Sequence, residues 1–216
     1  MKINQNNNSN LSFGWTCKTH RKIAEFALED FPKLLPAKKM FQDFVQRPDF
    51  DELGTLGNWH FYSRYTKRSF VDFDGKSNAL ARYREHVKIL TKAAEEKNNP
   101  LFFEHAGRAL HFLQDMTQPH HTKRGVLFNK ILELRIHIRF EDFVKTRQYD
   151  YIEQHVPKEP VNSSFDDIFF SNIKSSLKSK VPIRQNTSKW DYIGQHGFDK
   201  AVDSTRDFMA KISEMI

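Results

Sequence analysis

The stretch that decides the fold reads HFLQDMTQPHH and runs from His111 to His121. His111 and Asp115 are four residues apart, a spacing that places both side chains on one face of a helix. Pro119 cannot continue that helix, so the backbone turns there and His121 can reach back toward the same face. The segment therefore predicts a helix that ends in a cluster of imidazole and carboxylate groups.

A second pair with the same spacing follows in RIHIRFEDF, where His137 and Glu141 are four residues apart. An imidazole and a carboxylate at positions i and i+4 form a two-ligand clip for a borderline divalent cation such as zinc. The chain has one cysteine, Cys17, so an intrachain disulfide and a zinc site built on several thiolates are both excluded. Two clips joined by a turn indicate a pocket that holds more than one metal ion.

Length and composition indicate a folded domain with anionic partners. The 216 residues suffice for one sizeable domain, and 38% hydrophobic residues with 20 Phe provide a core. The formal net charge of +7 favours nucleic acid, an anionic lipid surface or phosphorylated substrates, without choosing among them. No apolar run approaches the roughly 20 residues of a spanning helix, so no transmembrane segment is predicted.

The first fourteen residues, MKINQNNNSNLSFG, are rich in asparagine and have no apolar core. They do not have the pattern of a signal peptide. We expect residues 1–14 to form a disordered leader and residues 15–216 to form the catalytic domain. Without a signal peptide, the chain as written is expected to be cytoplasmic, although its location is otherwise unknown from the sequence.

Helical periodicity runs through almost everything after Trp15. A first helix is predicted near Thr19, and Gly107 is expected to allow another element to approach closely one turn before His111. The region 48–65 is predicted to form a loop or short helical turns. Further helices are predicted over about 37–46, 80–96, 101–117, 126–147 and 164–177, and near 198–212. No repeat or linker is found, so the prediction is all-α, a single compact multi-helix domain with a buried-edge metal site between helices.

Five segments occur in the order seen in bacterial zinc-dependent phospholipases C, and the chain resembles that family from about Trp15 to Glu141. They read GWTCKTHRKIAEFAL, PDFDELGTLGNWHFY, SNALARYREH, ALHFLQDMTQPHH and HIRFEDF. Each motif alone is weak, whereas the set in one order, with its D-x5-H spacing, is specific. The fungal zinc-dependent nucleases that cut single strands share the wider superfamily.

The resemblance implies a trinuclear zinc site and assigns its ligands by position. One zinc would be held by Asp49, His60, His111 and Asp115. Asp115 would bridge to a second zinc, held by His20 and Trp15, and a third would be held by His121, His137 and Glu141. Asp51 competes with Asp49, and His120 with His121, when only the residue types are considered. The family pattern selects Asp49 and His121.

The chain departs from the family pattern at two places. Family members that are secreted bind zinc through the free amine and carbonyl of an N-terminal tryptophan, whereas fourteen residues precede Trp15 here. We therefore expect two to three zinc ions, with the Trp15 and His20 site partly filled in the full-length chain. Ser63 stands where the family often has Asp. The remaining histidines outside the pattern are predicted to be structural or at the surface: His86, His105, His155 and His196.

The resemblance implies a hydrolase, a phospholipase C-like phosphodiesterase. Zinc-bound water would attack phosphorus, Asp49 would act as the catalytic residue that orients or deprotonates it, and the products would be diacylglycerol and a phosphorylated head group. Glu141 favours lipid, because the fungal nucleases tend to place Asp there. The alternatives are a single-strand nuclease or nucleotide phosphatase on the same metals, and a non-catalytic zinc-containing domain that binds lipid or a partner.

Membrane contact is expected to be weak and peripheral. It should come from basic and aromatic surface around the cleft, and it should depend on salt. The stretch after Glu141 is predicted to form helices and loops, so no separate β-sandwich for membrane binding is expected. Cys17 is predicted to be an ordinary small residue, because no motif around it indicates a lowered pKa. The family that the chain resembles is usually secreted.

Overall fold

The computed structural model describes residues 15–69, 72, 75–122, 127–179 and 187–216. The expected leader at 1–14 lies outside the described residues, and so does most of the segment SFVDFDG (69–75), for which the sequence allows a few extended residues ended by Gly75. The α-helices are α1 (Cys17–Leu28), α2 (Lys38–Phe44), α3 (Pro48–Asp51), α4 (Ala79–Glu95), α5 (Asn99–Asp115), α6 (Leu127–Gln154), α7 (Phe165–Lys178) and α8 (Trp190–Ser213). Short 3-10 turns cover Leu35–Ala37, Thr55–His60 and Thr187–Lys189.

The all-α prediction is confirmed. Within the described residues the only β-type pairing is one isolated bridge between Ser63 and Arg68, and no strand forms. The region 48–65 contains the short helical turns that its Pro and Gly content predicts, namely α3 and the 3-10 turn Thr55–His60. None of the described helices combines the length and the apolar character needed to cross a bilayer.

Small polar side chains begin several of the helices. Thr16 caps α1, and its hydroxyl accepts a hydrogen bond from the backbone N–H of Thr19. Asn78, Asn98 and Ser164 cap α4, α5 and α7 in the same way. Each cap satisfies an N–H group that has no partner within its helix, which fixes where the helix begins. The helix predicted near Thr19 therefore starts at Cys17, with its cap three residues before Thr19.

Helix α5 lies at the centre of the domain and packs against α1, α2, α4, α7 and α8. Every residue from Ala109 to Asp115 is buried. A helix that is buried all round normally carries apolar side chains. His111, Gln114 and Asp115 are the exceptions in this segment, and buried polar groups of this kind require partners.

Gly107 is the point at which α2 reaches α5, as the sequence predicts. A Cβ atom added at Gly107 would lie 2.7 Å from Cβ of Phe44 and 3.2 Å from the backbone nitrogen of Val45. Only glycine permits this approach. It brings the end of α2, and with it the carbonyl of Val45, against the helix that carries His111.

Helix α6 extends beyond its predicted end near residue 147 and continues to Gln154. Tyr151 is buried on this extra turn, and its hydroxyl donates to the carboxylate of Asp191 on α8 at 3.1 Å. The last turn of α6 is therefore stabilised by a contact with α8, which the local sequence pattern cannot predict. The described residues after Pro160 form α7, α8 and their connections.

Candidate metal centre

Six separate parts of the chain bring the predicted ligands together. His20 lies on α1, Asp49 on α3, His60 at the end of the 3-10 turn, His111 and Asp115 on α5, His121 after α5, and His137 and Glu141 on α6. All eight residues are at most 4% exposed. The turn after α5 returns His121 toward the helix face, as Pro119 predicts, and its carbonyl accepts from the N–H of Tyr62 at 3.0 Å.

These side chains form three groups in which one ligand atom from each residue lies within 4.8 Å of the others. The groups are His20 with Asp49 and His111, His60 with His111 and Asp115, and His121 with His137 and Glu141. The first two groups share His111, so they are parts of one cluster. The third group contains the three residues that the sequence assigns to a single ion.

Asp115 lies among four imidazoles, the most distant being that of His121, whose Nδ1 is 3.8 Å from Oδ2. Its Oδ1 is 3.3 Å from Nε2 of His20, and its Oδ2 is 2.9 Å from Nδ1 of His60 and 3.4 Å from Nε2 of His111. With both oxygens turned toward nitrogen ligands from different elements, this carboxylate has the position that a bridging ligand requires. The predicted bridging role of Asp115 is consistent with this geometry.

The electrostatics of the cluster follow from its burial and its charges. Burial opposes ionisation of Asp115, but the neighbouring His111 and His121 outweigh it and hold the pKa of the carboxyl well below its ordinary value. Burial would lower the pKa of His60, and the Asp115 carboxylate raises it instead. Burial and the nearby His20 lower the pKa of His111.

Backbone and amide groups orient three of the imidazoles. The Nδ1 atoms lie 2.8 Å from the carbonyl of Val45 for His111, 2.6 Å from the carbonyl of His60 for His121, and 2.7 Å from Oε1 of Gln114 for His20. An oxygen acceptor at Nδ1 requires the proton on that nitrogen. The lone pair is then on Nε2, which lies 3.3 Å from Asp115 for His20, 3.4 Å from Asp115 for His111 and 3.9 Å from Glu141 for His121.

The third group is compact. Nε2 of His137 lies 2.5 Å from Oε1 of Glu141 and 3.2 Å from Nε2 of His121. Gln118 donates to the same Glu141 oxygen at 3.1 Å. Two imidazole nitrogens and a carboxylate oxygen directed at one another could hold a metal ion.

Several buried atoms of the cluster fit a metal ion. Nε2 of His20, Nε2 of His60 and Oδ1 of Asp115 have no hydrogen-bond partner among the described residues, although all three are shielded from solvent. Buried polar atoms of this kind cost free energy unless something binds them. Imidazole and carboxylate donors without thiolates suit zinc. The residues present therefore fit the metal that the sequence predicts.

The structure separates the two pairs of competing residues. Asp49 joins His20 and His111, whereas Asp51 forms a two-bond ion pair with Arg108. His121 joins His137 and Glu141, whereas the ring of its neighbour His120 stacks on His137 at 4.9 Å between centroids. The geometry favours the same member of each pair as the motif pattern.

Trp15 and Cys17 border the cluster. The indole N–H of Trp15 lies 3.1 Å from the carbonyl of Gln114 and 3.0 Å from the hydroxyl of Thr117, and its side chain is fully buried. The thiol of Cys17 donates to Oδ2 of Asp49 at 3.1 Å. Burial and the Asp49 carboxylate raise the pKa of Cys17, so it is a thiol and not an activated nucleophile. The predicted zinc-binding role of the Trp15 backbone stays a prediction.

Sequence reasoning missed the residues that support the ligands. Gln114 and Gln118 lie within the deciding stretch itself, and their signal is a polar residue inside an otherwise apolar helix and its turn. The four histidines left outside the pattern have other partners: His86 and His105 contact each other, His155 pairs with Asp199, and His196 bonds to Ser175.

The domain is similar in structure to two solved toxins. The alpha toxin from Clostridium absonum matches with a TM-score of 0.72 and 15% identity, over 95% of this chain and 64% of that chain. This chain has the alpha-toxin fold. The alpha-toxin of Clostridium perfringens, isolated from avian strain SWCP, matches with a TM-score of 0.64 and 16% identity, over 95% of this chain and 65% of that chain. The chain therefore spans slightly less than two thirds of each toxin.

No family model and no curated protein matches the sequence. At 15% and 16% identity, the structural similarity shows a shared fold and does not by itself show a shared activity. The cluster of candidate metal ligands is a separate observation, which rests on the positions of the eight side chains described above.

Proposed function

We propose that this protein is a zinc-dependent phosphodiester hydrolase of the phospholipase C type, which cleaves phospholipid into diacylglycerol and a phosphorylated head group. The observation that carries the proposal is the convergence of eight buried imidazoles and carboxylates in three groups of ligand distance. The alpha-toxin fold and the ordered motifs from Trp15 to Glu141 support the phospholipase C class.

The proposed zinc ligands are those that the family resemblance implies. Asp49, His60, His111 and Asp115 would hold one zinc, His20 and Asp115 a second with the Trp15 backbone, and His121, His137 and Glu141 a third. Bound zinc would neutralise phosphate oxygens and lower the pKa of the attacking water. Asp115 would bridge the first two sites, because it faces His20 of one set and His60 of the other.

Asp49 is the proposed catalytic residue. Its Oδ2 accepts the thiol proton of Cys17, and its Oδ1 lies 3.7 Å from Nε2 of His111. The side chain is 2% exposed, so little solvent competes for its hydrogen bonds. In this position Asp49 would orient the attacking water and accept its proton.

Weak peripheral contact with an anionic lipid surface completes the proposal. The five residues from Arg64 to Arg68, here named the basic turn, are all exposed and carry three positive charges and no carboxylate. Hydrogen bonds from Ser63 N to Arg68 O at 3.0 Å and from Lys67 N to Ser63 O at 2.7 Å close the turn. Tyr65 within it is 66% exposed. Cationic and aromatic groups together suit the interface of an anionic bilayer.

The test is diacylglycerol release from mixed phospholipid vesicles by zinc-loaded protein. Asp49→Asn should lower the rate by about a hundredfold or more, whereas Asp43→Asn, an exposed aspartate on α2, should not. Absence of release at full zinc occupancy would contradict the proposal. Faster degradation of single-stranded DNA than of lipid would favour the nuclease alternative, which the net charge of +7 also suits.

A further inference from the structure

Arg108 connects helix α5 to the short helix α3 that carries Asp49. It lies three residues before His111, and its guanidinium donates from Nη1 to Oδ1 and from Nη2 to Oδ2 of Asp51, each at 2.9 Å. Nη1 also donates to Oε1 of Glu52. The Arg108 side chain is 12% exposed. A two-bond arginine–carboxylate pair with this shielding fixes both distance and orientation.

Glu52 is held from a second side by helix α4. Its Oε2 lies 2.8 Å from Nε2 of His86, and Nδ1 of His86 lies 2.8 Å from Nδ1 of His105. Burial would raise the pKa of Glu52, but His86 and Arg108 outweigh it and lower the pKa to about 2. Glu52 is therefore a carboxylate at neutral pH, bound between α4 and α5. We name Arg108, Asp51, Glu52 and His86 the Arg108 clamp.

Helix α3 cannot position Asp49 without outside support. It has four residues, Pro48–Asp51, which is about one helical turn. Isolated helices much shorter than about 12 residues are not stable in water. Gly54 follows with a φ of +61° and separates α3 from the 3-10 turn Thr55–His60. The position of α3 therefore depends on its contacts with neighbouring helices. Two members of the Arg108 clamp, Asp51 and Glu52, lie two and three residues after Asp49.

We infer that Arg108, acting through Asp51 and Glu52, is a positioning residue that holds Asp49 beside His20 and His111. The inference rests on the proposed function in taking the Asp49 group as a metal site. The guanidinium touches no predicted ligand. The guanidinium instead fixes the position of the ligand Asp49, because the residues that it binds lie two and three positions after Asp49 in the chain. Arg108 itself lies three residues before His111 on α5.

The experiment measures zinc affinity by competition with a chromophoric chelator, with no substrate present. Arg108→Met should weaken the binding of one ion about tenfold or more, the usual effect of losing a group that orients a ligand. The ion at His121, His137 and Glu141 should keep its affinity. Arg108→Lys should restore only part of the loss, because an ammonium keeps the charge but cannot form both bonds to Asp51.

Two further variants keep the test decisive. Asp51→Asn weakens the same clamp at a side chain that is 43% exposed, so it should fold even if Arg108→Met does not. Glu104→Gln is the matched control, since Glu104 binds Nε of Arg108 at 3.1 Å within α5 and has no link to α3. Its zinc affinities should equal those of the wild type.

Unchanged affinity for every ion in Arg108→Met and Asp51→Asn would overturn the inference. The same holds if both variants only lower the melting temperature, by equal amounts with zinc and with chelator, because that pattern indicates a purely structural role. Loss of phospholipid hydrolysis is not the readout. If the zinc-loaded wild type cleaves no phospholipid but the clamp variants lose metal affinity, the proposed function fails and the inference stands.

Discussion

Asp115 shows how single residues depend on one another in this protein. A fully buried carboxylate costs several kcal/mol of desolvation, on the order of the total stability of a small domain. His60 offsets part of that cost, because its Nδ1 lies 2.9 Å from Oδ2 of Asp115. Removing the His60 imidazole leaves the buried charge with less compensation, so this ligand substitution should affect stability as well as metal binding.

His137→Ala should lower both the zinc content and the thermal stability. The side chain links α6 to the turn that carries His121, and an ion bound at 100 times its dissociation constant contributes about 2.7 kcal/mol to stability. The measurement is metal content together with melting curves, with and without chelator. His196→Ala, a histidine that bonds to Ser175 away from the cluster, is the control. Wild-type melting of His137→Ala under both conditions would contradict the prediction.

Glu52→Gln should make stability less dependent on acid pH. The folded state lowers the pKa of Glu52 from 4.5 to about 2, so the Glu52 contribution is complete above pH 4.5 and is lost as the pH falls through about 2. A shift of this size corresponds to about 3 kcal/mol. Urea unfolding of the chelated proteins between pH 7 and pH 2 measures it.

The difference in free energy of unfolding between wild type and Glu52→Gln should be largest at neutral pH and should decrease below pH 4.5. Glu85→Gln serves as the control, because Glu85 pairs with Arg82 in an exposed position, where ion pairs contribute little. If this difference is constant from pH 7 to pH 2, the charge of Glu52 does not contribute to stability.

At the scale of helices, α5 is the element whose neighbours set the metal centre. It supplies His111 and Asp115, it accepts α2 at Gly107, and its end turns at Pro119 toward His121. The α2 contact matters for chemistry, since Val45 just after α2 accepts the Nδ1 proton of His111. A small displacement of α2 should therefore reach the ligand.

Gly107→Ala should destabilise the protein by about 2 kcal/mol, although alanine favours helices. The new Cβ would meet backbone atoms of α2 and Val45, which cannot rotate away. Chemical denaturation gives the free energy, and chelator competition gives the zinc affinity, which should also fall. Gly197→Ala is the comparison, as its Cβ would meet the Trp15 ring at 3.2 Å. Equal, small effects at both sites would show that α2 yields easily.

The basic turn should determine association with anionic vesicles. Reversing two of its charges, in Arg64→Glu with Lys67→Glu, should weaken binding about tenfold or more at low salt, since each cation near such a surface contributes about 1 kcal/mol. Co-sedimentation at rising salt measures it. The matched control reverses two exposed lysines of α4, Lys88→Glu with Lys92→Glu. An equal loss in both double variants would mean that net charge alone drives association.

At the scale of the whole molecule, the start of the domain meets the metal cluster. If the Trp15 backbone binds zinc as the resemblance implies, a protein that begins at Trp15 should gain one zinc and turn over faster. The α-amino group has a reference pKa near 8 and can ligate, whereas a peptide nitrogen cannot. Metal analysis and activity of the proteins with and without Met1 to Gly14 decide it. Equal values would leave Trp15 as a packing residue.

The sequence predicted the parts of this fold that follow from spacing. The four-residue pairs, the turn at Pro119 and the opening at Gly107 are local patterns, and the described structure contains all three. The long-range supports were not predictable in this way. Glu52 and His86 are 34 residues apart and Arg108 lies 56 residues beyond Glu52, so their pairing depends on how the helices pack. The extension of α6 to Gln154 also depends on packing, through Tyr151.

Gln114 has a consequence for how mutations in this gene would act. It holds Nδ1 of His20 at 2.7 Å through one end of its amide and donates to Thr205 on α8 at 3.1 Å through the other. All of the predicted ligands lie at or before Glu141, so the codons up to number 141 of this sequence encode them. A stop codon anywhere between codons 142 and 205 would leave each of them in the translated product and still remove the threonine that anchors this amide. Such a truncation should therefore loosen His20, although every predicted ligand is still present.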